Sequence, residues 1–561
     1  MQMGKAIRRI RRMGGVVSGM ASGIHVARSN SYIVYFGLLE RTMLKSLLLP
    51  LFRIHAERRF RRFEEATLSP EKSFDELWHR TYRLLREGEF WNGRLKENLA
   101  DNPITDYDTY RAAFEKAAFG NISPLNGEPL VHWAVSSGSS GPPKKFPITR
   151  SYKIQVHDIH TQTVHTYLRR FPRFLKTPVF YLAAHGPFGT TPGGVEVSYI
   201  SNYNFRHLPA YMRAFYGAPT EILKDEETVL KWRPLYVLAQ DASAFLSVTP
   251  SIIVALFKQI QDRGPELYGY LSGKTPLPAE LPPLKVSRAR LDQLEKAGLL
   301  TGNVDFTQVW PGLEFAACWT DSVCKLQAAE LREMLKGKIP VIETPFSASE
   351  AWVTIPLSSE YSGGAINPAS IVVEFWPVGG LVTGEVPQKL LKPWELVEGQ
   401  EYEIFVTNLM GLVRYRMYDI LRCTRYFNNV AEVTFVRKSS QEISLGLVCV
   451  SETELLQTLE SIPELKGKKT FVCPSRNGRG LTLFVESSEG LPESIAVKAH
   501  RKLSELNPLY GEEAEVGSFQ KLEVHPLEPG HSAWRLAHSQ AKPYLIRHIR
   551  PDLSDDFPTK R

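Results

Sequence analysis

A chain of 561 residues that is 43% hydrophobic can bury several cores, and no apolar run approaches the ~20 residues of a membrane-spanning helix, so a soluble protein is expected. Five cysteines (Cys318, Cys324, Cys423, Cys449, Cys473), odd in number and without a Cys-x-x-Cys pair, argue against a disulfide framework or a zinc site and for a reducing, cytoplasmic setting. The net charge of +8 is not a nucleic-acid footprint: residues 1–62 hold thirteen Lys/Arg against Glu40 and Glu57, a net +11, which leaves −3 for everything after them.

In chain order, residues 1–70 read as a basic extension, partly disordered or helical, with no acidic residue from Met1 to Leu39. That composition suits a transit peptide or a basic tail, and it could touch an anionic surface. Residues 72–98 place apolar side chains at helical spacing, and Tyr107–Ala118 continues that pattern. The apolar run 130–135 reads as a buried strand, and a helix is expected from Ile148 to Arg170. Strands are expected at Pro178–Ala184, after Ala242, at Lys338–Ile342, at Tyr402–Leu409 and at Val413–Arg422, with Gly264–Leu284 as a Pro/Gly-rich linker. The alternation indicates α/β layers. Residues 71–437 are expected to form a large multi-sheet domain and 438–561 a small α+β domain.

Between the predicted strand and helix lies Ser136-Ser-Gly-Ser-Ser-Gly-Pro-Pro-Lys-Lys-Phe-Pro147. Gly138 and Gly141 permit close backbone approach, the hydroxyls of Ser137, Ser139 and Ser140 and nearby N–H groups can face one oxyanion, and Lys144 or Lys145 adds charge. The physical reading is a triphosphate cradle. The spacing is neither that of Gly-x4-Gly-Lys-Ser/Thr nor that of the Gly-x-Ser-x-Gly elbow. It resembles, from Ser136 to Lys144, the serine/glycine signature of the adenylate-forming enzymes.

Three further segments resemble elements of that superfamily. Phe346-Ser347-Ala348-Ser349-Glu350 is similar to its Tyr-Gly-x-Thr-Glu element, which implies an aromatic ring beside the nucleotide and a magnesium ligand at Glu350. One carboxylate is chemically adequate for a magnesium ion that also bridges phosphates. Gly411–Asp419 resembles Tyr-Arg-x-Gly-Asp, which implies a ribose contact for Asp419, although Tyr418 stands where glycine is usual. Arg437 lies about where the superfamily has its hinge arginine, and Lys542 where it has a C-terminal catalytic lysine.

Gln308-Val-Trp-Pro-Gly-Leu313 and Glu401–Asn408 running into Gly411–Tyr415 resemble, more narrowly, the auxin-responsive Gretchen Hagen three family of acyl acid amido synthetases. The resemblance covers roughly Phe74 to Ile549. It implies the adenylate-forming fold, ATP and Mg2+, ATP contacts from Ser137, Ser139, Ser140, Gly141, Lys144, Phe346, Ser347, Ser349, Asp419 and Arg437, and small carboxylic acid and amino acid substrates without nucleic acid. Ser444–Glu452 lacks the Gly-Glu-Lys-like element expected there. Two alternatives stand beside amide synthesis: acyl transfer to a thiol such as coenzyme A or a carrier protein, and a degenerate nucleotide-binding regulator. His157, His160 and His165 have no acidic or cysteine partners in sequence and are not expected to bind metal.

Overall fold

The computed structural model describes residues 33–136, 144–208, 210–320, 324–378, 389–438, 442–445, 448–465, 468–475 and 480–529. The chain divides into two compact units, Met1–Pro50 and Leu51–Arg561. In the first, residues 33–50 are helical. The second opens on the remainder of the helix whose full extent is Ile33–Leu68. There Phe60 and Phe63 bury against Ile159, Ile355, Ala365 and Val430, and Arg59 pairs with Asp158 at 2.9 Å. The Asn428-Asn429 turn hydrogen-bonds Thr67 and Leu68 at that helix's end.

A short parallel sheet is ordered Val179–Tyr181, Ala244–Leu246, Phe315–Ala317, Val341–Ile342. Its strands are buried on both faces, as parallel strands covered by helices must be. A six-stranded antiparallel sheet runs Val372–Pro377, Glu401–Thr407, Tyr415–Phe427, Val430–Lys438, Gly364–Ile366, Thr354–Ile355. Residues 442–527 bury a core of their own under the sheet Thr470–Pro474, Leu481–Glu486, Glu523–Leu527.

Three local expectations differ from the structure. The helix expected over 72–98 stops at Leu85, because Trp91 turns back into the core and donates its indole N–H to the Gly411 carbonyl. Part of the expected linker is the helix Gly264–Leu271, with Leu267, Tyr268 and Leu271 buried. The helix expected from Ile148 begins at Arg150, and Lys145–Thr149 is a strand paired antiparallel with Leu130–Val135. Phe146 and Ile148 bury one face of that strand, and Phe146 packs edge-on against Tyr107, Phe114 and Tyr415, so tertiary burial overrides helical spacing.

Candidate active site

The Ser/Gly segment therefore joins two antiparallel strands and does not lead into a helix. Its ends are pinched: Ser136 N–H donates to the Lys144 carbonyl at 2.8 Å, and Lys144 N–H donates to Ser136 Oγ at 3.0 Å. The element that follows the turn is thus a strand and not a helix. Ser137, Ser139, Ser140 and Gly141 lie outside the described residues, as does Lys542; Arg437 is placed only through its backbone, opposite Ile420. The Lys144 ammonium sits 5.7 Å above the Tyr107 ring.

Phe346–Glu350 forms a tight reversal. Val353 N–H donates to the Phe346 carbonyl, Ala348 N–H to the Ala351 carbonyl, and Phe346 N–H to Thr354 Oγ1. Ser349 and Glu350 occupy the tip, whose backbone is tied down from outside: the Tyr152 hydroxyl donates to the Ser349 carbonyl at 3.1 Å and Asn408 Nδ2 to the Glu350 carbonyl at 2.7 Å. The Phe346 ring stacks on Phe435, with centroids 6.0 Å apart and planes 12° off parallel.

Asp419 is delivered by an irregularity in the six-stranded sheet. Between the pairs Glu403–Ile420 and Phe405–Arg416, one residue on the first strand opposes three on the second. Tyr418 absorbs the excess in the left-handed region at φ 61°, and such a bulge re-aims the next side chain. The tyrosine thus makes a turn for which glycine would be the unstrained residue. Its ring is steadied by Arg416, whose guanidinium lies 4.8 Å from the ring centroid and is held bidentately by buried Glu403. Arg414, in the same motif, is structural: it is buried and donates to Glu374 and to the carbonyls of Ala100 and Asn102.

These segments meet on one cavity of about 560 Å3. Ser136, Phe346, Ser347, Ser349, Glu350, Asp419 and Phe435 are among the residues that line it, together with the apolar Val156, Leu182, Phe205, Val229 and Leu256. It opens where the parallel strands end at their carboxyl ends, the usual place for a ligand crevice in an α/β sheet. Among the described residues no group of three His, Cys, Asp or Glu side chains could enclose a metal ion. A single carboxylate such as Glu350 is nonetheless chemically adequate for a magnesium ion that keeps water and phosphate ligands.

Other cavity residues were not singled out by motif: Lys153, His185, Arg233, Ser247 and Glu512. Burial lowers the pKa of Lys153 and of His185, and pushes Arg233 down to about 10. Glu512 is raised to about 7 by burial and then by Glu226, Glu513 and Glu515. One signal for Arg233 was available, an arginine inside the otherwise mostly apolar helix Glu226–Leu238. His160 is pushed down to about 4 by burial and packs edge-on against Trp352, while His165 stacks on Phe60, so both are packing residues. The Trp-Pro-Gly string also serves packing: Trp310 is fully buried, stacked on Phe257 and Phe306, and donates to the Val237 carbonyl.

Residues 96–339 match the sequence model of the GH3 family N-terminal domain, and residues 364–438 that of the GH3 family central domain, together more than half of the chain. The chain belongs to the GH3 family. The GH3 relatives include Jasmonoyl--L-amino acid synthetase JAR6 of Nicotiana attenuata, 23% identical over 399 residues, which are 66% of this chain and 68% of that protein. Indole-3-acetic acid-amido synthetase GH3.3 of Arabidopsis thaliana is 24% identical over 399 residues, 65% of this chain and 66% of that one. The alignments thus span about two thirds of these GH3 proteins. The solved AtGH3.15 acyl acid amido synthetase in complex with 2,4-DB superposes with a TM-score of 0.61 at 16% identity, over 90% of this chain and 96% of that one, a likeness of fold.

Proposed function

We propose that this GH3 protein is an ATP-dependent ligase that adenylates a small carboxylic acid and transfers the acyl group to the amine of an amino acid, releasing AMP and pyrophosphate. The observation that carries the reading is the meeting, on one cavity that also has apolar lining, of the Phe346–Glu350 reversal and the bulge-borne Asp419 in a chain of this family. A carboxylate oxygen is a poor leaving group and AMP a good one, so activation must precede attack by the amine. The cavity walls would keep water from the mixed anhydride.

In this reading Asp419 accepts both ribose hydroxyls, as a carboxylate can. The phosphates lie against Ser137, Ser139, Ser140, Gly141 and Lys144, with Ser347 and Ser349 beside the nucleotide and Phe346 along its base and acyl group. Glu350 would hold a magnesium ion, which when bound supplies neutralisation of phosphate charge. Lys542 would stabilise negative charge at the reacting carboxyl, and residues 438–561 would turn about Arg437 between the two half-reactions. No helix among the described residues is long and apolar enough to cross a membrane, and a cytoplasmic setting accords with that and with four buried thiols.

The test is carboxylate-dependent exchange of labelled pyrophosphate into ATP, followed by amino-acid-dependent AMP release. Exchange with an acid and faster AMP release with amino acids is the expected pair. Release that answers only to coenzyme A would replace the acceptor with a thiol. ATP binding without exchange for any acid would make the protein a nucleotide-binding regulator.

A further inference from the structure

The cavity is lined by a cation that has no ion-pair partner among the described residues. Arg233 is 9% exposed and lines the cavity. Among the described residues its guanidinium donates, through Nη2, to the Ala183 carbonyl, and no carboxylate forms an ion pair with it. Glu226, Glu512, Glu513 and His185 line the same cavity, but among the described residues none of these carboxylates forms an ion pair with Arg233, whose pKa is lowered by burial. A second observation is independent of the first. Ser247, 5% exposed, also lines the cavity, and its Oγ has no hydrogen-bond partner. A buried cation and a buried unpaired hydroxyl are both costly unless a ligand completes them.

Topology places the two ends of the sheet's cavity edge apart. In the parallel sheet Tyr181, Leu246, Ala317 and Ile342 are in register, so Ala183 and Thr344 each lie two residues beyond that line, on opposite edge strands. Three strand spacings of about 4.8 Å separate them, roughly 14 Å. Arg233 is anchored at the first edge, and the segment leading to Glu350 leaves from the second. An acid with its reacting carboxylate near Glu350 would extend its far end across the cavity toward Arg233 and Ser247, which line it with the apolar residues.

We propose that Arg233 and Ser247 bind a second carboxylate on the acid substrate, so that the preferred acid is a dicarboxylate of intermediate length. This rests on the adenylating reading above and names its substrate class. The guanidinium would donate in parallel to both oxygens of the far carboxylate, the serine hydroxyl would donate to one of them, and the methylene chain would lie against the apolar walls.

The experiment compares octanedioate with octanoate in pyrophosphate exchange, with direct calorimetric binding of each acid as an independent readout. Wild type should favour octanedioate by ~10-fold or more in kcat/KM. Arg233→Gln should lose ~100-fold or more for octanedioate and less than ~3-fold for octanoate, as expected when a buried charged partner is removed. Ser247→Ala should lose ~10-fold for octanedioate alone. Arg233→Lys keeps the charge and should fall between wild type and Arg233→Gln, and unchanged ATP binding in each variant reports an intact fold. Equal losses for both acids, or a wild type without preference in binding and exchange, overturn the proposal. Octanedioate binding that depends on Arg233, with no exchange for any acid, would retain this site and overturn adenylation instead.

Discussion

Tyr418 offers a direct test of how the chain aims Asp419. Alanine is ordinarily preferred to glycine by about 0.5–1 kcal/mol, because glycine loses more chain entropy on folding. At φ 61° the order should invert, since an L-residue in the left-handed region costs roughly 1–2 kcal/mol that glycine does not bear. Tyr418→Ala and Tyr418→Gly lose the same ring and the same contact with Arg416, so their difference isolates the backbone. The net expectation is that Tyr418→Gly is the more stable of the two by about 0.5–1 kcal/mol. Both should be less stable than wild type, because the half-buried ring and its cation–π contact are worth more than the strain relieved. Denaturant midpoints of the three proteins, compared at equal slope, measure this. Alanine equal to or above glycine would refute the claim that Tyr418 holds the bulge in a left-handed conformation.

Asp419→Asn should weaken ATP binding by ~10- to 100-fold by calorimetry, the loss of a charge-assisted contact, with the denaturation midpoint little changed. Glu350→Gln should raise the Mg2+ concentration for half-maximal exchange by ~10-fold or more while exchange at saturating Mg2+ and ATP partly recovers. Gly411→Ala should destabilise by about 3 kcal/mol or more, since Gly411 sits at φ 116° and a Cβ there would lie 2.3 Å from Leu125 Cβ; the midpoint and the fluorescence of nearby Trp91 would report it. Glu512, raised from the ordinary 4.5 to about 7, carries a stability contribution that is complete below pH ~4.5 and is lost as pH rises through about 7. Glu512→Gln should therefore gain on wild type across that window and hold a constant margin above it. A margin that is flat with pH would show that Glu512 titrates normally.

Local chemistry was legible without coordinates. The Ser136–Lys144 composition suggests an anion-binding turn, resemblance points to Phe346–Glu350 and Gly411–Asp419, which both reach the cavity, and alternation marks the strands around Tyr402 and Arg422, because strand periodicity acts within a few residues. Tertiary structure decided what depends on residues distant in the chain. In sequence Lys145–Pro147 reads as part of the turn and Ile148 as the helix start, yet burial of Phe146 among Tyr107, Phe114 and Tyr415 makes Lys145–Thr149 a strand and delays the helix to Arg150. His160 and His165 carry no metal-site pattern in sequence, and what they pack against, Trp352 and Phe60, is known only from the fold. Arg233 and Ser247 come from a helix and a strand end with no shared motif, and only the fold puts both on one cavity, where among the described residues Arg233 has no ion-pair partner and Ser247 Oγ no hydrogen-bond partner. Side-chain identity thus dictates which groups can bind an anion or an apolar chain, whereas whether such a group is left unpaired is set by what packs against it.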